Sequence, residues 1–483
     1  MRLRCREGLT GQTLVALVWR AFEKGGQYIV QLAIQVLLAR MLLPEDYGVY
    51  AILYAIITLM MVVLQGGLPS ALIQNNSVTD RDYSSVFWYN FILACASVVA
   101  LNVCAPFIAS FFNMSGIVAP LSAASLSLIF AAYSSVQTSR LMKELKFKAL
   151  FFRTVIAVVL SGVAGIGCAL AGGGVWALVV QNITNQLLCC IFLAIAEPWV
   201  PKRCASLERI GVLLSFGWKM CVSNLLKTGY ESIVDLVFGR SMSSASLGLY
   251  NRGRKFAQVA TTVADDPVQS VLFPALSKRQ TESAVVTKTV QKVVGAYSLI
   301  AAPIVVGVVF FAEPLIVTLL TDKWLGSVAF FQLCCISYLF LPLQTPVFQA
   351  LNALGRSEVA MLFEVGRLLT TVAASAFAVT ANLDPVAMVA TVIASNLIVS
   401  MFVFVPAARI LHYPVYRQLV DWGAPFFIAL IAIAVSTAIG QYLPVTSEWL
   451  KCMLSFFMFV AGYALFVFGV RLPALTSIAS LFK

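Results

Sequence analysis

Apolar runs long enough to cross a bilayer as helices, about 20 residues each, recur along the whole chain. They lie near residues 14–39, 48–68, 86–110, 117–139, 151–171 and 175–196. After a polar break from Glu197 to Arg209 they resume near 211–239, 248–274, 290–311, 327–351, 359–381, 385–408, 419–440 and 449–470. The pattern predicts fourteen membrane-spanning helices joined by short loops, with no loop large enough to fold as a domain. The first run, Leu14 to Ala39, is too long for a signal-peptide core and carries Arg20, Glu23 and Lys24, so it reads as a retained helix.

Composition agrees with the pattern. Of 483 residues, 60% are hydrophobic and 11% charged, against about 25% charged in soluble domains. Such a chain cannot cover a water-facing surface, which excludes a soluble enzyme, a nucleic-acid-binding module and a disordered tail. The formal charge of +12 would suggest nucleic acid in a soluble chain; here it has a topological explanation. With the N-terminus cytoplasmic, 21 of the 33 cations fall in cytoplasmic segments, among them Arg140, Lys143, Lys146, Lys148, Arg153, Lys202, Arg203, Arg209, Lys278, Arg279, Lys288 and Lys292. Four fall opposite: Arg40, Arg240, Lys323 and Lys451. This bias follows the positive-inside rule and predicts both termini on the cytoplasmic side.

An internal repeat organises the spans. The stretch Ala39 to Tyr50 (ARMLLPEDYGVY) returns 200 residues later as Gly239 to Tyr250 (GRSMSSASLGLY), with Arg, Gly and Tyr at identical spacing. Upstream, Trp19-Arg20 is mirrored by Trp218-Lys219. Six spans separate the copies, so both run in the same direction. The expected fold is therefore all-α and polytopic, with two six-helix lobes in parallel pseudo-repeat, residues 1–200 and 201–410, and two added helices in 411–483. Repeated halves around a midplane site are a transporter feature.

Charges inside the spans carry the candidate chemistry. Eight are cations: Arg20, Lys24, Lys219, Lys227, Arg252, Arg254, Lys255 and Arg367. Six are acids: Glu23, Glu231, Asp235, Asp265, Asp266 and Glu364. Facing lipid, they would together cost on the order of 40 kcal/mol, so they must pair or face water inside the protein. Arg20, Lys24, Gln27, Gln31 and Gln35 step by three or four along the first span, forming one polar stripe. The seventh span repeats this with Asn224, Lys227, Glu231 and Asp235, and the eighth with Asn251, Arg254 or Lys255, Gln258, Thr262 and Asp265 ahead of Pro267. A central hydrated cavity is the simplest account.

The bland alternative is that Arg20 with Glu23, Lys227 with Glu231, and Glu364 with Arg367 are pairs gluing helices. Asp265 and Asp266 could likewise serve backbone groups freed by Pro267. The surplus of cations points instead to an anionic cargo, since guanidinium forks suit phosphate. The eight cations are thus candidate substrate ligands, and the six acids candidate sites for a coupling proton or sodium ion.

Other chemistries lack their motifs. There is no GxxxxGK[ST], HExxH, GxSxG or CxxC, and His412 is the one histidine. No catalytic residue, metal site or cofactor is expected. Gly172-Gly173-Gly174 reads as a turn between spans, and the cysteines as small apolar residues.

Several segments resemble bacterial polysaccharide transporters of the Wzx type. They are Trp19-Arg20 with Lys24-Gly25-Gly26, Leu38 to Gly48, Gly174-Val175-Trp176-Ala177-Leu178-Val179, Leu247 to Arg252, and Val271 to Ser277. The resemblance extends along essentially the whole chain. It implies membership of the multidrug/oligosaccharidyl-lipid/polysaccharide exporter superfamily, with alternating access between two lobes. It implies flipping of a polyprenyl-pyrophosphate-linked oligosaccharide to the outer leaflet for exopolysaccharide, capsule or O-antigen assembly, with the polysaccharide polymerase machinery as a candidate partner. It also implies that Arg20, Lys24, Lys227, Arg254, Lys255 and Arg367 meet the pyrophosphate and sugars. A lipid II flippase, a cation-coupled multidrug antiporter and a non-transporting scaffold for glycosyltransferases stay open as alternatives, as do the glycan, the coupling ion and the oligomeric state.

Overall fold

A computed structural model describes residues 26–28, 30–74, 78–144, 146–196, 198–202, 207–277, 282–441 and 448–470. Among them there is helix and connecting turn but no strand. The elements of the first half are α1 (residues 30–41), α2 (Pro44–Gln65), α3 (Leu68–Gln74), α4 (Asp80–Phe112), α5 (Val118–Ser125), α6 (Ser127–Lys143), α7 (Phe147–Leu170) and α8 (Val175–Ala196). Those of the second are α9 (Leu207–Ser241), α10 (Ser244–Ser277), α11 (Ser283–Phe310), α12 (Ala312–Leu320), α13 (Ser327–Ser337), α14 (Leu341–Ala353), α15 (Ser357–Thr380), α16 (Pro385–Met401), α17 (Phe404–Arg409), α18 (Val415–Gln441) and α19 (Glu448–Val470).

Ten spans are long and apolar enough to cross a membrane, and α13 with α14, bent by 41° at their break, makes an eleventh. Two more helices, α9 at 35 residues and α10 at 34, have the length but carry the charges noted above. Half of the first expected span lies outside the described residues. The expected fourteen are compatible with this count, and the protein is a multi-pass membrane protein. Large apolar side chains such as Phe107, Leu170 and Leu465 stand 73–75% exposed, as a lipid-facing surface requires.

The chain divides into two compact units, Met1–Gly248 and Leu249–Lys483. In the first, α2 packs along α9, α7 along α8, and α4 against α5 and α6. Leu68, Leu72, Val86, Phe87, Val136 and Leu213 form a core between α3, α4, α6 and α9. The second unit is centred on α11, which packs on α14 and α18, while α15 pairs with α16. Trp422 of α18 stacks on Phe340 at 4.8 Å and donates to the Leu339 carbonyl at 2.9 Å, pinning α18 to the α13–α14 break. That break precedes Pro342, whose ring cannot follow an intact helical turn.

The repeat has a physical basis within the first unit. Gly48 of α2 lies against the backbone of Ser244, and Gly248 of α10 against that of Pro44. Any Cβ at either glycine would overlap a carbonyl, so the approach is reciprocal and closed to other residues. The two turns are capped by different chemistry. Asp46 accepts from the Leu43 amide at 3.0 Å; in the other copy the Ser243 hydroxyl accepts from the Ser246 amide at 3.2 Å. Matching glycines with unmatched caps explain why the copies share so few identities.

Candidate transport and ion-coupling site

Three of the candidate residues, Arg20, Glu23 and Lys24, lie outside the described residues, as does the Trp19 half of the upstream repeat. Gln27, Gln31 and Gln35 of that stripe are half-buried. On α9 the backbone at Lys219 and Lys227 is described but their side chains are not. Glu231 is exposed one turn from Asp235, which is 4% exposed.

The basic cluster opening α10 does not point one way. Arg252 is buried, Arg254 half-buried and Lys255 exposed, as their angular offsets on a helix require. Arg254 lies 5.2 Å from the Tyr250 ring centroid and its Nη2 donates to Asn251 Oδ1 at 3.1 Å. Lys255 Nζ donates to Gln258 Oε1 at 3.3 Å. These contacts stay within one face of α10 and hold the Arg254 fork flat against an aromatic ring. On α15, Arg367 Nη2 donates to Glu364 Oε2 at 2.6 Å, with both side chains about a quarter exposed (27% and 24%). This pair takes the helix-gluing form weighed above.

Asp265 and Asp266, adjacent in sequence, separate in space: Asp265 is buried and Asp266 exposed. Asp265 Oδ1 accepts from the Tyr297 hydroxyl of α11 at 2.8 Å and from the Thr345 hydroxyl of α14 at 2.7 Å. Its Oδ2 accepts from Gln269 Nε2, one turn on. Its hydrogen bonds therefore run to side chains of three helices, not to backbone freed by Pro267. No cation pairs with it among the described residues. Beside it lies a small hollow lined by Thr261, Ala264, Tyr297, Ala301, Tyr338 and Pro342, among others, with about 10 Å³ open to the centre of a water molecule. Tyr297 and Thr345 were not visible as site residues in the sequence: each sits in an apolar run, and only the fold brings it to the carboxylate.

A second charge, half-buried, belongs to the first unit. Arg153 is the one charged residue in the span Leu150–Leu170, although the sequence pattern places it with the flanking cytoplasmic cations. Its Nη1 donates to the Thr138 hydroxyl of α6 at 2.8 Å and its Nη2 to the Thr154 hydroxyl at 3.3 Å. Its buried Nε has no partner among the described residues. The overlooked signal was position: Arg153 lies one turn inside its helix, beyond the end of the loop.

Among the described residues no group of His, Cys, Asp and Glu side chains is arranged to hold a metal. The nine described cysteines are in no disulfide, and three of them are buried. Outside the spans, Glu144 at the end of α6 takes Lys146 at 2.9 Å and Arg140 at 3.3 Å. The Lys146 hydrogen bond, then that of Arg140, holds its carboxyl below the ordinary glutamate range.

Known proteins give this arrangement a context. The chain is 24% identical to the teichuronic acid biosynthesis protein TuaB of Bacillus subtilis (strain 168) over 75% of each chain. It is 23% identical to the succinoglycan biosynthesis transport protein ExoT of Rhizobium meliloti (strain 1021), covering 74% of this chain and 73% of that one. It is 21% identical to the lipopolysaccharide biosynthesis protein WzxC of Escherichia coli (strain K12), covering 86% and 84%. Among solved structures, the lipid II flippase MurJ in an inward closed conformation superposes with a TM-score of 0.76 at 13% identity, covering 94% of this chain and all of that one. An inward-facing multidrug resistance MATE family transporter superposes at 0.58 with 15% identity, covering 80% and 94%. Both likenesses concern the fold. The polysaccharide biosynthesis protein family matches residues 37–329, more than half of the sequence, and the chain belongs to that family.

Proposed function

We propose that the protein is a flippase carrying a polyprenyl-pyrophosphate-linked oligosaccharide from the cytoplasmic to the outer leaflet of a bacterial inner membrane, for a surface or secreted polysaccharide. The observation that carries this reading is the coincidence of family and electrostatics: a polysaccharide biosynthesis chain places arginines within membrane-spanning helices. A pyrophosphate–glycan head cannot enter hydrocarbon unaided, because each desolvated charge costs several kcal/mol. Guanidinium groups replace its lost hydration, and the lipid tail stays in the bilayer.

The described cations available for this role are Arg252, Arg254, Lys255 and Arg367, to which we add Arg153. Arg20, Lys24, Lys219 and Lys227 remain assigned to it from the sequence pattern. The six-helix halves 1–200 and 201–410, with 411–483 appended, are the bodies that would alternate, with both termini cytoplasmic. A coupling proton or sodium ion, taken up among Glu23, Glu231, Asp235, Asp265, Asp266 and Glu364, would supply the differential stability of two conformations that directional transport needs. The polysaccharide polymerase would receive the flipped product. Chemistry on the cargo plays no part in this reading.

The test is a leaflet assay in cells lacking the protein. Lipid-linked oligosaccharide should accumulate out of reach of an added impermeant glycan-modifying enzyme, and the wild-type gene should restore access. Unchanged amounts and unchanged access in the deletion strain would remove the reading and leave the multidrug antiporter, tested by sensitivity to cationic dyes. Loss of viability with accumulated lipid II would select the lipid II flippase.

A further inference from the structure

A carboxylate in a membrane-crossing bundle must be neutralised by a cation, by a proton, or by hydrogen-bond donors strong enough to replace water. Asp265 has no cationic partner among the described residues. It has the Tyr297 and Thr345 hydroxyls on Oδ1 and the Gln269 amide on Oδ2. We infer that Asp265 is a proton-binding site that loads and unloads during transport, with Tyr297 and Thr345 as positioning residues that set its proton affinity. This rests on the transport reading above and names its coupling ion.

The geometry selects a proton over a metal cation. The separations of 2.8 and 2.7 Å from Oδ1 to the two hydroxyls are those of direct hydrogen bonds, so no ion fits between these oxygens. The adjoining hollow is lined chiefly by alanine and aliphatic side chains, and its 10 Å³ is at the lower limit for one water. It touches Tyr297, whose hydroxyl is one hydrogen bond from the carboxylate. Access for a water-borne proton and exclusion of a hydrated sodium ion both follow.

The step balances simply. A hydronium ion in the hollow gives a proton to the Tyr297 hydroxyl oxygen, which lines it, as that hydroxyl passes its own proton along its hydrogen bond to Asp265 Oδ1, and the hydronium leaves as water. Release is the reverse, to water on the other side.

The remaining titratable groups around the site come from each packed element. On α10, Asp266 is exposed beside Asp265; on α11, Tyr297 is the contact, and Lys292 lies five residues, more than one turn, before it. The stretch Leu341–Ala353 of α14 carries no ionisable side chain, and Tyr338, at the break before it, lines the same hollow.

Two measurements decide the matter. The first is infrared difference spectroscopy on the full-length protein during a pH jump. A carboxylic-acid carbonyl band should appear on acidification in wild type and be missing in Asp265→Asn; identical spectra for the two would overturn the inference. Tyr297→Phe and Thr345→Val keep the carboxylate but remove a donor that stabilises its anion. Each should move the band's midpoint, and an unmoved midpoint in both would overturn it equally. These two variants keep the test open if Asp265→Asn fails to fold.

The second uses proteoliposomes loaded with the lipid-linked oligosaccharide that accumulates in deletion cells. An imposed pH gradient should accelerate flipping by wild type and have no effect on Asp265→Asn. Acceleration by a sodium gradient in place of a pH gradient would overturn proton coupling. Absence of flipping by wild type under every gradient would sink the flippase reading alone, because the infrared result stands independently of cargo.

Discussion

Two charges, one in each unit, buried Asp265 and half-buried Arg153, are held in opposite ways. Asp265 is enclosed: three donors from three helices meet two carboxylate oxygens. Arg153 is left short. A guanidinium has five N–H donors, yet its partners among the described residues are two threonine hydroxyls, and its Nε is buried without one. Neither has an oppositely charged partner among the described residues. The satisfied anion has room for nothing larger than a proton, whereas the under-satisfied cation has donors to spare for an oxyanion. Glu364–Arg367 is the third case, a guanidinium already bonded to a carboxylate three residues away on its own helix. Solvation, more than the mere presence of charge, distinguishes the three, and on the proposed reading it would make them a site for a coupling ion, a site for a phosphate and a brace.

The comparison breaks first at Arg153. Arg153→Met should lower flipping in proteoliposomes by about ten- to a hundredfold, the value of a charge-assisted hydrogen bond to cargo. Arg153→Lys should recover little, because an ammonium lacks the planar fork. Thermal stability in detergent should hold or rise, since an incompletely solvated charge is removed. If stability and flipping fall together, Arg153 is a brace and the contrast with Glu364–Arg367 disappears.

Glu364→Gln sharpens the contrast from the other side. It leaves Arg367 half-buried without its 2.6 Å partner. A fully buried pair would lose 3–5 kcal/mol; partial exposure and screening reduce this to about 1–2 kcal/mol here. Denaturation in detergent should report that loss, and the response of flipping to a pH gradient should persist. A lost gradient response would move the coupling site from Asp265 to α15.

How much of this could be read from the sequence follows from the range of the forces involved. Span positions, the repeat and the cation bias were legible because burial in lipid imposes a local, repeating constraint of about 20 residues. The Glu364–Arg367 pair was legible for the same reason, its partners being three apart. The Asp265 enclosure was half legible: the acid stood out against its apolar run, while Thr345, 80 positions away, carried no signal of its own. Arg153 was seen and counted with the cytoplasmic cations because it stands at the edge of its apolar run, whereas its two threonine partners, one of them on α6, come only from the fold. The spread of Arg252, Arg254 and Lys255 around α10 was foreseeable from helical periodicity, although adjacency made them look like a cluster.

Thr138→Val is a smaller probe of the guanidinium. It deletes the 2.8 Å acceptor of Nη1 and should cost about 1 kcal/mol of stability. Affinity for an anionic cargo should hold or increase, because one more donor is released to it. Loss of both stability and flipping would mean that the hydroxyl orients Arg153 rather than competing with cargo.

The smallest effect is expected at Glu144, the control that lies outside the spans. Its carboxyl is held low, first by Lys146 and then by Arg140, so its contribution to stability is present above the ordinary glutamate range and is lost as pH falls through its lowered value. The side chain is 38% exposed, and water and salt screen such pairs heavily. Glu144→Gln should therefore leave flipping and the infrared midpoint unchanged. It should only flatten a shallow loss of stability in acid, a difference that disappears in high salt. A shifted infrared midpoint in this variant would show that charges outside the membrane reach Asp265, and the enclosure could no longer be treated as electrically isolated.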